Sequence, residues 1–190
     1  MVRVAVQEDI PALADALARA FHDDPIAMFS QPREGSRHRR LRFFFAGRLR
    51  TLVGEELCFC TEDRLGAALW APPDRWEVPP REALRMIALV SRRAPQTLAG
   101  YRRVEQLHPR EPHFYLPTLG VAPEAQGRGL GSALLQPMLE RCDREGVPAY
   151  LESSKERNIA FYGRHGFRVT REMRFSRRGP MLWLMWRDPR

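Results

Sequence analysis

The chain has 190 residues, 44% of them apolar, and a formal net charge of +8 that arginine carries almost alone, since Lys155 is its one lysine. This length suits a single domain, 1–190, with a sizeable core and is short for two. A basic balance is one mark of nucleic-acid-binding proteins, but these arginines are spread over every segment without a recognition motif. We therefore expect a solvated basic surface and no nucleic-acid partner.

No stretch of the sequence approaches the roughly 20 consecutive apolar residues that a membrane-spanning helix needs. Residues 1–6 lack the apolar core and cleavage site of a signal peptide, and the chain then turns acidic. We expect a cytoplasmic protein without membrane association. Cys58 and Cys60 alternate along a predicted strand, and no histidine lies near them in the sequence. Together with Cys142 they are interpreted as buried, reduced thiols, and no metal site is expected.

The first half of the chain predicts three strands and three or four helices. Alternating apolar residues indicate a strand over 2–6, and the acidic residues before Pro11 indicate the start of a helix that ends at Pro25. The remaining predicted elements are a helix over 37–53, a hairpin of strands 56–61 and 65–71, and a loop over 72–80 that contains Trp76. Residues 81–106 predict one or two helices, broken near Pro95 and Gly100.

The second half alternates strands and helices more regularly. The predicted elements are a strand over 113–121, a helix over 129–145, a strand over 148–153, a helix over 158–165, and strands over 167–174 and 181–186. This order predicts an α/β (α+β) fold with a mixed sheet flanked by helices.

A glycine-rich turn joins the strand that ends at Val121 to the helix that follows. It consists of Gln126, Gly127, Arg128, Gly129, Leu130, Gly131 and Ser132. Glycines let a backbone approach a ligand closely, and the free N–H groups of a helix start bind phosphate. Arg128 adds a cation for a charge-assisted contact. The turn therefore predicts a pyrophosphate site.

Three other interpretations fit the turn less well. A Walker-type loop would need a lysine, and this turn has none. A dinucleotide fingerprint fits in part, because Glu152 lies where an acidic ribose ligand is expected, but Ser132 replaces its third glycine. A tight turn without a ligand would not need three alternate glycines beside an arginine.

The turn resembles the coenzyme A motif of the GNAT acetyltransferases, Gln/Arg-x-x-Gly-x-Gly/Ala, with Gln126, Gly129 and Gly131 in register. Downstream, Asn158 to Phe167 is similar to the Asn-x-x-Phe-Tyr-x-x-x-Gly-Phe signature of the same family. Over about the last 80 residues the chain is most similar to the puromycin N-acetyltransferase branch. The resemblance implies the GNAT fold, a mixed and mostly antiparallel sheet of about seven strands flanked by helices.

The resemblance also implies acetyl-CoA as cosubstrate and assigns residues to it. The main chain of Leu119, Gly120 and Val121 matches the strand that pairs with the pantetheine arm and polarises the thioester, and the turn 126–132 matches the pyrophosphate site. Asn158 matches a residue that hydrogen-bonds the cofactor, although it is equally placed to cap its own helix.

Direct attack of an amine on the thioester requires an acid and a base. Tyr162 matches the family position that protonates the departing thiolate, and a phenol with a pKa of about 10 is protonated at neutral pH. Glu152 is the first candidate for the base, followed by His113 and Tyr115.

The implied acceptor is a primary amine of a small molecule, such as an antibiotic-like amine in the sense of the puromycin branch, and attack takes place in a ternary complex. A protein or peptide N-acetyltransferase and a non-catalytic coenzyme A-binding module are the alternatives. Asp23 and Asp24 would suit a cationic amine or else solvate a helix end. Trp70, Trp76 and Phe114 are either acceptor walls or core residues, and the chain is a monomer or a homodimer.

Overall fold

The protein is built around one sheet of seven strands with helices on both faces. This computed structural model describes residues 1–73, 75 and 93–190. The strands are β1 (Val2–Val4), β2 (Cys58–Thr61), β3 (Gly66–Ala71), β4 (Phe114–Val121), β5 (Ala149–Ser153), β6 (Arg168–Arg174) and β7 (Met181–Arg187). The helices are α1 (Ile10–Ala20), α2 (Pro25–Ser30), α3 (Glu34–Leu52), α4 (Ala94–Leu107), α5 (Leu130–Glu145) and α6 (Arg157–Arg164).

The strands follow the order β1-β2-β3-β4-β5-β7-β6 across the sheet. Every neighbouring pair is antiparallel except β4 and β5, which run parallel. A parallel pair needs a crossover connection, and α5 supplies it between these two strands. The predicted fold, a mixed and mostly antiparallel sheet of about seven strands flanked by helices, is therefore confirmed.

Alternation along the strands sends side chains into cores on opposite faces of the sheet. In β3, Leu69 packs with α1 and α3, whereas Trp70 packs with α5 on the other face. In β5, Tyr150 packs with α2 and α4, whereas Leu151 joins the α5 side. The helices α1 to α4 thus cover one face of the sheet, and α5 and α6 cover the other. β4 and β5 lie between these two layers of helices.

The structure corrects two helix predictions. The first helix, predicted to end at residues 22–25, ends at Ala20, and Pro25 instead begins α2, because Asp24 caps that helix and proline suits its first position. Gly100 does not break α4, which runs without interruption from Ala94 to Leu107, with Pro95 in its first turn. A Cβ at Gly100 would lie 2.5 Å from the Phe175 ring, so glycine is needed there for close packing. Predicted helix over 81–92 and Trp76 lie outside the described residues.

The cysteine prediction is confirmed, since Cys58, Cys60 and Cys142 are free and buried. Trp70 and Phe114 are also buried, at 0% and 2% exposure, within the core on the α5 side. Both are core residues in this fold.

A buried carboxylate joins β1, the β2–β3 turn and the start of α1. Asp9 is fully buried and accepts hydrogen bonds from both terminal nitrogens of Arg3, at 2.6 and 2.8 Å. Arg64 Nε and the Val6 N–H donate to it at 2.7 and 3.0 Å. The hydrogen bonds from Arg3 hold the pKa of Asp9 well below its ordinary value, and those from Val6 and Arg64 lower it further.

Replacing this carboxylate should destabilise the fold in a pH-dependent way. A carboxyl group whose pKa is lower in the folded state stabilises the fold above its unfolded pKa, and the contribution is lost as pH falls through the folded pKa. We expect Asp9→Asn to lower the free energy of unfolding by about 2 kcal/mol at pH 7. Urea unfolding of both proteins at pH 7 and pH 3 checks this. An equal difference at the two pH values would contradict it.

Candidate functional site

The site is a cleft that opens where β4 and β5 separate. Within these two strands, pairing is confined to Phe114 with Ala149 and Tyr115 with Tyr150. Against β3, β4 advances three residues while β3 advances two, so β4 carries a bulge around Pro117. Proline has no N–H to donate to a neighbouring strand. Beyond the bulge, a cleft of about 450 Å³ lies between the strands.

The bulge also redirects the backbone groups of β4. Before it, the Phe114 N–H points toward β5, where it donates to a carbonyl at 2.9 Å. After it, the Ala122 N–H points the other way and donates to a carbonyl before β3 at 2.7 Å. Because backbone groups alternate in direction along a strand, Leu119 and Val121 direct their N–H and C=O groups away from β3 and toward the cleft. Both residues line it, together with Gly120.

The glycine turn closes one end of the cleft. Gly127 and Gly129 have φ angles of +77° and +75°, which other residues rarely adopt, and a Cβ at either would meet nothing within 4 Å. The turn leads into α5, where the Ala133 N–H donates to the Gly129 carbonyl at 3.1 Å. The N–H groups of residues 130–132 therefore precede the helical ladder and are oriented for an anion. These observations fit a pyrophosphate.

Gly131 is required for a different reason. A Cβ there would lie 3.2 Å from the Phe161 ring, so the start of α5 packs directly against α6. Ser132 Oγ and His165 Nε2, 2.9 Å apart, hold the same two helices together. Burial lowers the pKa of His165, which favours its neutral form.

Two polar side chains of the turn are engaged with the chain itself. Gln126 Nε2 donates to the Val121 carbonyl at 2.9 Å and lines the cleft. Arg128 donates to the Glu124 carbonyl at 2.9 Å and lies outside the cleft lining. Its direct contact with pyrophosphate stays a prediction.

Three cations that the sequence reasoning missed line the cleft instead. They are Lys155, Arg157 and Arg164, from the start and the end of α6. Lys155 and Arg157 pair with Asp23, and the positive charges of all three suit a ligand with several phosphate charges. The sequence held one signal for them, because all three lie next to or within the Asn158 to Phe167 motif, but only the fold shows that they line the cleft.

Tyr162 lies in α6 and lines the cleft. It is 8% exposed, and the rings of Phe161 and Phe167 lie 5.1 and 5.9 Å from its own. Burial raises the pKa of Tyr162, and the negative charge of Asp24 raises it further, so the phenol is protonated throughout the neutral range. Asn158 also lines the cleft, but α6 begins one residue earlier, at Arg157. The predicted cap at Asn158 is wrong for that reason.

The three candidate bases belong to one cluster. Glu152 lines the cleft, and its Oε2 accepts a hydrogen bond from the Tyr115 hydroxyl at 2.7 Å. Its Oε1 lies 3.7 Å from Nδ1 of His108, which sequence reasoning missed, and His113 contacts His108 from behind. Burial and the Glu152 charge raise the pKa of Tyr115 well above its ordinary value. Tyr115 is therefore a hydrogen-bond donor, and Glu152 is the candidate base at the cleft.

Asp23 and Asp24 both have protein partners. Asp24 Oδ1 accepts from the N–H groups of Ile26 and Ala27 at 2.9 and 3.1 Å, and its Oδ2 accepts from Ser154. Asp23 pairs with Lys155, whose Nζ lies 2.5 Å from its Oδ1. Of the two predicted roles, the helix-end role applies to Asp24, although it still lines the cleft.

Comparison with known proteins identifies the class. The model of the acetyltransferase (GNAT) family matches residues 50–167. The N-alpha-acetyltransferase RimI of Mycobacterium tuberculosis is 36% identical over 139 residues, which are 68% of this chain and 84% of that protein. The chain belongs to the GNAT family and is an acetyl-CoA-dependent N-acetyltransferase. This confirms the predicted enzyme class.

Other relatives extend the comparison. An uncharacterised N-acetyltransferase of Schizosaccharomyces pombe is 34% identical over 90 residues, which are 46% of this chain and 36% of that protein. The chain thus spans about a third of that relative. A solved structure of histone acetyltransferase HPA2 and related acetyltransferase from Corynebacterium glutamicum has a TM-score of 0.73 and 28% identity, with 100% of this chain and 96% of that chain covered.

Agmatine N-acetyltransferase shares the fold, with a TM-score of 0.69, 16% identity, and coverage of 99% of this chain and 98% of that chain.

None of the described helices is long and apolar enough to span a membrane. Within residues 1–73, 75 and 93–190, no three histidine, cysteine or acidic side chains are grouped to hold a metal ion.

The glycine turn yields a prediction with a matched control. Gly129→Ala places a Cβ in the space open to a phosphate and adds backbone strain, whereas Gly146→Ala adds similar strain at φ +66° at the far end of α5. We expect both variants to lose about 1 kcal/mol of stability. Only Gly129→Ala should weaken coenzyme A binding, by about tenfold or more, as measured by calorimetry. Equal affinities for the two variants would contradict the pyrophosphate assignment.

Proposed function

We propose that this enzyme transfers the acetyl group of acetyl-CoA directly to a primary amine of a small molecule within a ternary complex. Glu152 acts as general base and Tyr162 as general acid. The observation that carries the proposal is that a buried carboxylate, a buried phenol and an anion-binding helix start all line one cleft. Base, acid and cosubstrate site are thus arranged around one reaction centre.

The residues of the cleft fit acetyl-CoA, which supplies the thioester carbonyl that is attacked and the thiolate that departs. The N–H groups at the start of α5, with Gly127 and Gly129, would hold the pyrophosphate. The main chain of Leu119 and Val121 would pair with the pantetheine arm. A backbone N–H from this stretch would also stabilise negative charge on the carbonyl oxygen. Asn158 would donate to the same arm from α6.

Tyr162 is the proposed acid because its phenol lines the cleft and carries a proton at neutral pH. Its burial and the Asp24 charge raise its pKa, so the phenol is fully protonated when the thiolate forms. Proton transfer to the sulfur then neutralises the departing group. Because the pKa of Tyr162 is raised, any loss of activity between neutral pH and pH 10 should not result from ionisation of this residue.

Glu152 suits the role of base because it is a carboxylate held at the cleft in a fixed orientation. The hydrogen bond from Tyr115 fixes the orientation of the carboxylate, which would accept a proton from the amine directly or through water. An ammonium ion has no lone pair and cannot attack, so removal of its proton is required.

The acceptor defines two candidate functions. A small-molecule amine is supported by the residues shared with the puromycin N-acetyltransferase branch, although the relatives described above are other members of the family. A protein N-terminus is favoured by the similarity to RimI, an N-alpha-acetyltransferase, over 68% of this chain. We favour the small molecule and treat the protein N-terminus as the second candidate.

An acceptor screen distinguishes these two functions. Thiol release from acetyl-CoA would be followed with puromycin, an aminoglycoside, agmatine, tyramine and peptides that carry free N-termini. We expect the highest kcat/KM with one of the small amines. Turnover of peptides alone would establish the second candidate and overturn the first.

Tyr162→Phe tests the acid. The substitution keeps the ring packed and removes the proton, so we expect kcat to fall by about 100-fold, while the Kd for acetyl-CoA stays within about twofold. Tyr101→Phe, at a partly exposed tyrosine in α4 outside the cleft lining, is the matched control and should retain the wild-type rate. Full activity of Tyr162→Phe would remove this residue from the proposed mechanism.

A further inference from the structure

A hydrogen-bonded pair joins the start of α5 to the end of α6, beside the proposed position of the pyrophosphate. Ser132 Oγ and His165 Nε2 lie 2.9 Å apart. Ser132 lines the cleft and belongs to the first turn of α5, whose N–H groups precede the helical ladder. His165 lies outside the cleft lining. The histidine therefore reaches the cleft through the serine hydroxyl.

Packing fixes the position of the imidazole ring. The His165 ring lies 5.1 Å from the Phe161 ring, edge to face. The same phenyl ring would lie 3.2 Å from a Cβ at Gly131, so it is held against the start of α5. The His165 carbonyl accepts a hydrogen bond from Arg187 Nε of β7 at 3.0 Å. The contact with Ser132 is therefore set by the packing of α5, α6 and β7.

The hydroxyl between the ring and the cleft has one proton, which can point in either direction. A hydroxyl donates one hydrogen bond and accepts two, and each nitrogen of a neutral imidazole either donates or accepts. If Ser132 donates to Nε2, only lone pairs of Oγ remain for the cleft. If Nε2 carries a proton and donates to Oγ, the hydroxyl proton is free to point into the cleft. The protonation of His165 thus decides what Ser132 offers a ligand.

A phosphate oxygen favours the second arrangement. It only accepts hydrogen bonds, so the lone pairs of Oγ repel it and the hydroxyl proton attracts it. The negative charge of the phosphate also stabilises a positive charge on a nearby imidazole. A bound pyrophosphate therefore favours a proton on Nε2 of His165.

The charges near the ring are three cations and one carboxylate. Burial lowers the pKa of His165, and the charges of Arg164 and Arg187 lower it further. Arg187 pairs with Asp143 of α5 at 2.7 Å. Arg190, whose guanidinium lies beside the residue after His165, donates its N–H to the same carboxylate. Arg164 lines the cleft, so a bound polyanion offsets its charge. A pyrophosphate therefore removes part of what keeps the ring neutral.

We infer that His165 is a positioning residue for the cosubstrate. When acetyl-CoA binds, His165 takes up a proton from solvent and donates a hydrogen bond from Nε2 to Ser132, and the Ser132 hydroxyl donates to a phosphate oxygen. No covalent bond of the ligand changes, and the proton returns to solvent when coenzyme A leaves. The inference rests on the proposed position of the pyrophosphate at the start of α5, and it makes the affinity for coenzyme A depend on pH.

Nitrogen-15 NMR of the histidine rings tests the proton directly. The probe is dephospho-coenzyme A, which keeps the pyrophosphate but lacks the phosphomonoester, a group that itself titrates with a pKa of about 6. The chain has five histidines, so the signals of His165 can be assigned from the spectrum of His165→Phe. We expect a neutral ring at pH 7 in the free protein. In the complex, Nε2 should carry a proton and the pKa of the ring should be higher. A complex in which Nε2 lacks a proton, or in which the ring titrates as in the free protein, would overturn the inference.

The affinity for dephospho-coenzyme A should fall as pH rises. A group whose pKa is higher in the complex takes up a proton on binding, so binding is tightest below the pKa of the free ring and weakens until pH passes the pKa of the complex. We expect the Kd of the wild-type protein, measured by calorimetry, to rise by about threefold or more between pH 5.5 and pH 8. His165→Phe should give a Kd that is constant over this range. His38→Gln, at a surface histidine of α3, is the matched control and should behave as the wild-type protein.

The pH dependence also separates this role from simple packing between the two helices. If the pair only held α5 against α6, His165→Phe would weaken binding by the same factor at pH 5.5 and pH 8, and that result would overturn the inference. Ser132→Ala removes the hydroxyl between the ring and the phosphate, so we expect its Kd to rise by about tenfold at pH 5.5. Wild-type affinity of Ser132→Ala would contradict the inference as well. A misplaced pyrophosphate would appear instead as equal affinities of Gly129→Ala and Gly146→Ala.

Discussion

The separation of β4 from β5 is the constraint on which the site depends. Their pairing ends at Tyr115, where the bulge around Pro117 begins. The bulge shifts the register of β4 by one residue. The N–H and C=O groups of Leu119 therefore face the cleft and not β3. A sheet that paired these strands to their ends would satisfy more hydrogen bonds and have no room for a ligand. The unpaired backbone is stable only because a polar ligand or water reaches it.

The cleft combines two kinds of chemistry. Helix N–H groups lie at the glycine turn and three cations line the same cleft, so these groups suit the phosphates of coenzyme A. The cleft also holds a buried carboxylate and a phenol, with two histidines behind the carboxylate, where a low dielectric makes each proton position matter. Asp24 has both a structural and an electrostatic role, because it caps α2 and its charge also raises the pKa of Tyr162. Structure and proton affinity are therefore coupled at this residue.

The features that the sequence predicted well are local in the chain. The glycine turn at a strand-to-helix junction, the helical position of Tyr162 and the order of strands and helices along the second half each depend on neighbours within about ten residues, and their periodicity or motif is visible directly. Features that depend on contacts between distant segments were missed. The role of Gly100 depends on Phe175, and the link from Glu152 to His108 spans two segments that pattern alone does not bring together. The hydrogen bond from Arg128 to the Glu124 carbonyl is likewise not visible in its motif position.

Close packing also couples the position of α1 to that of β4. A Cβ at Gly120 would lie 2.8 Å from both Leu17 and Phe21, so α1 rests directly on the strand that lines the cleft. After α1, the chain is linked to the loop that follows β5 by the contact of Asp24 with Ser154 and the ion pair of Asp23 with Lys155. A ligand that moves α1 must therefore strain either the β4 backbone or these two links. The contact at Gly120 has no free space, so an acceptor that shifts α1 would also move the backbone groups of Leu119 and Val121. The fit of the acceptor is therefore coupled to the alignment of the thioester.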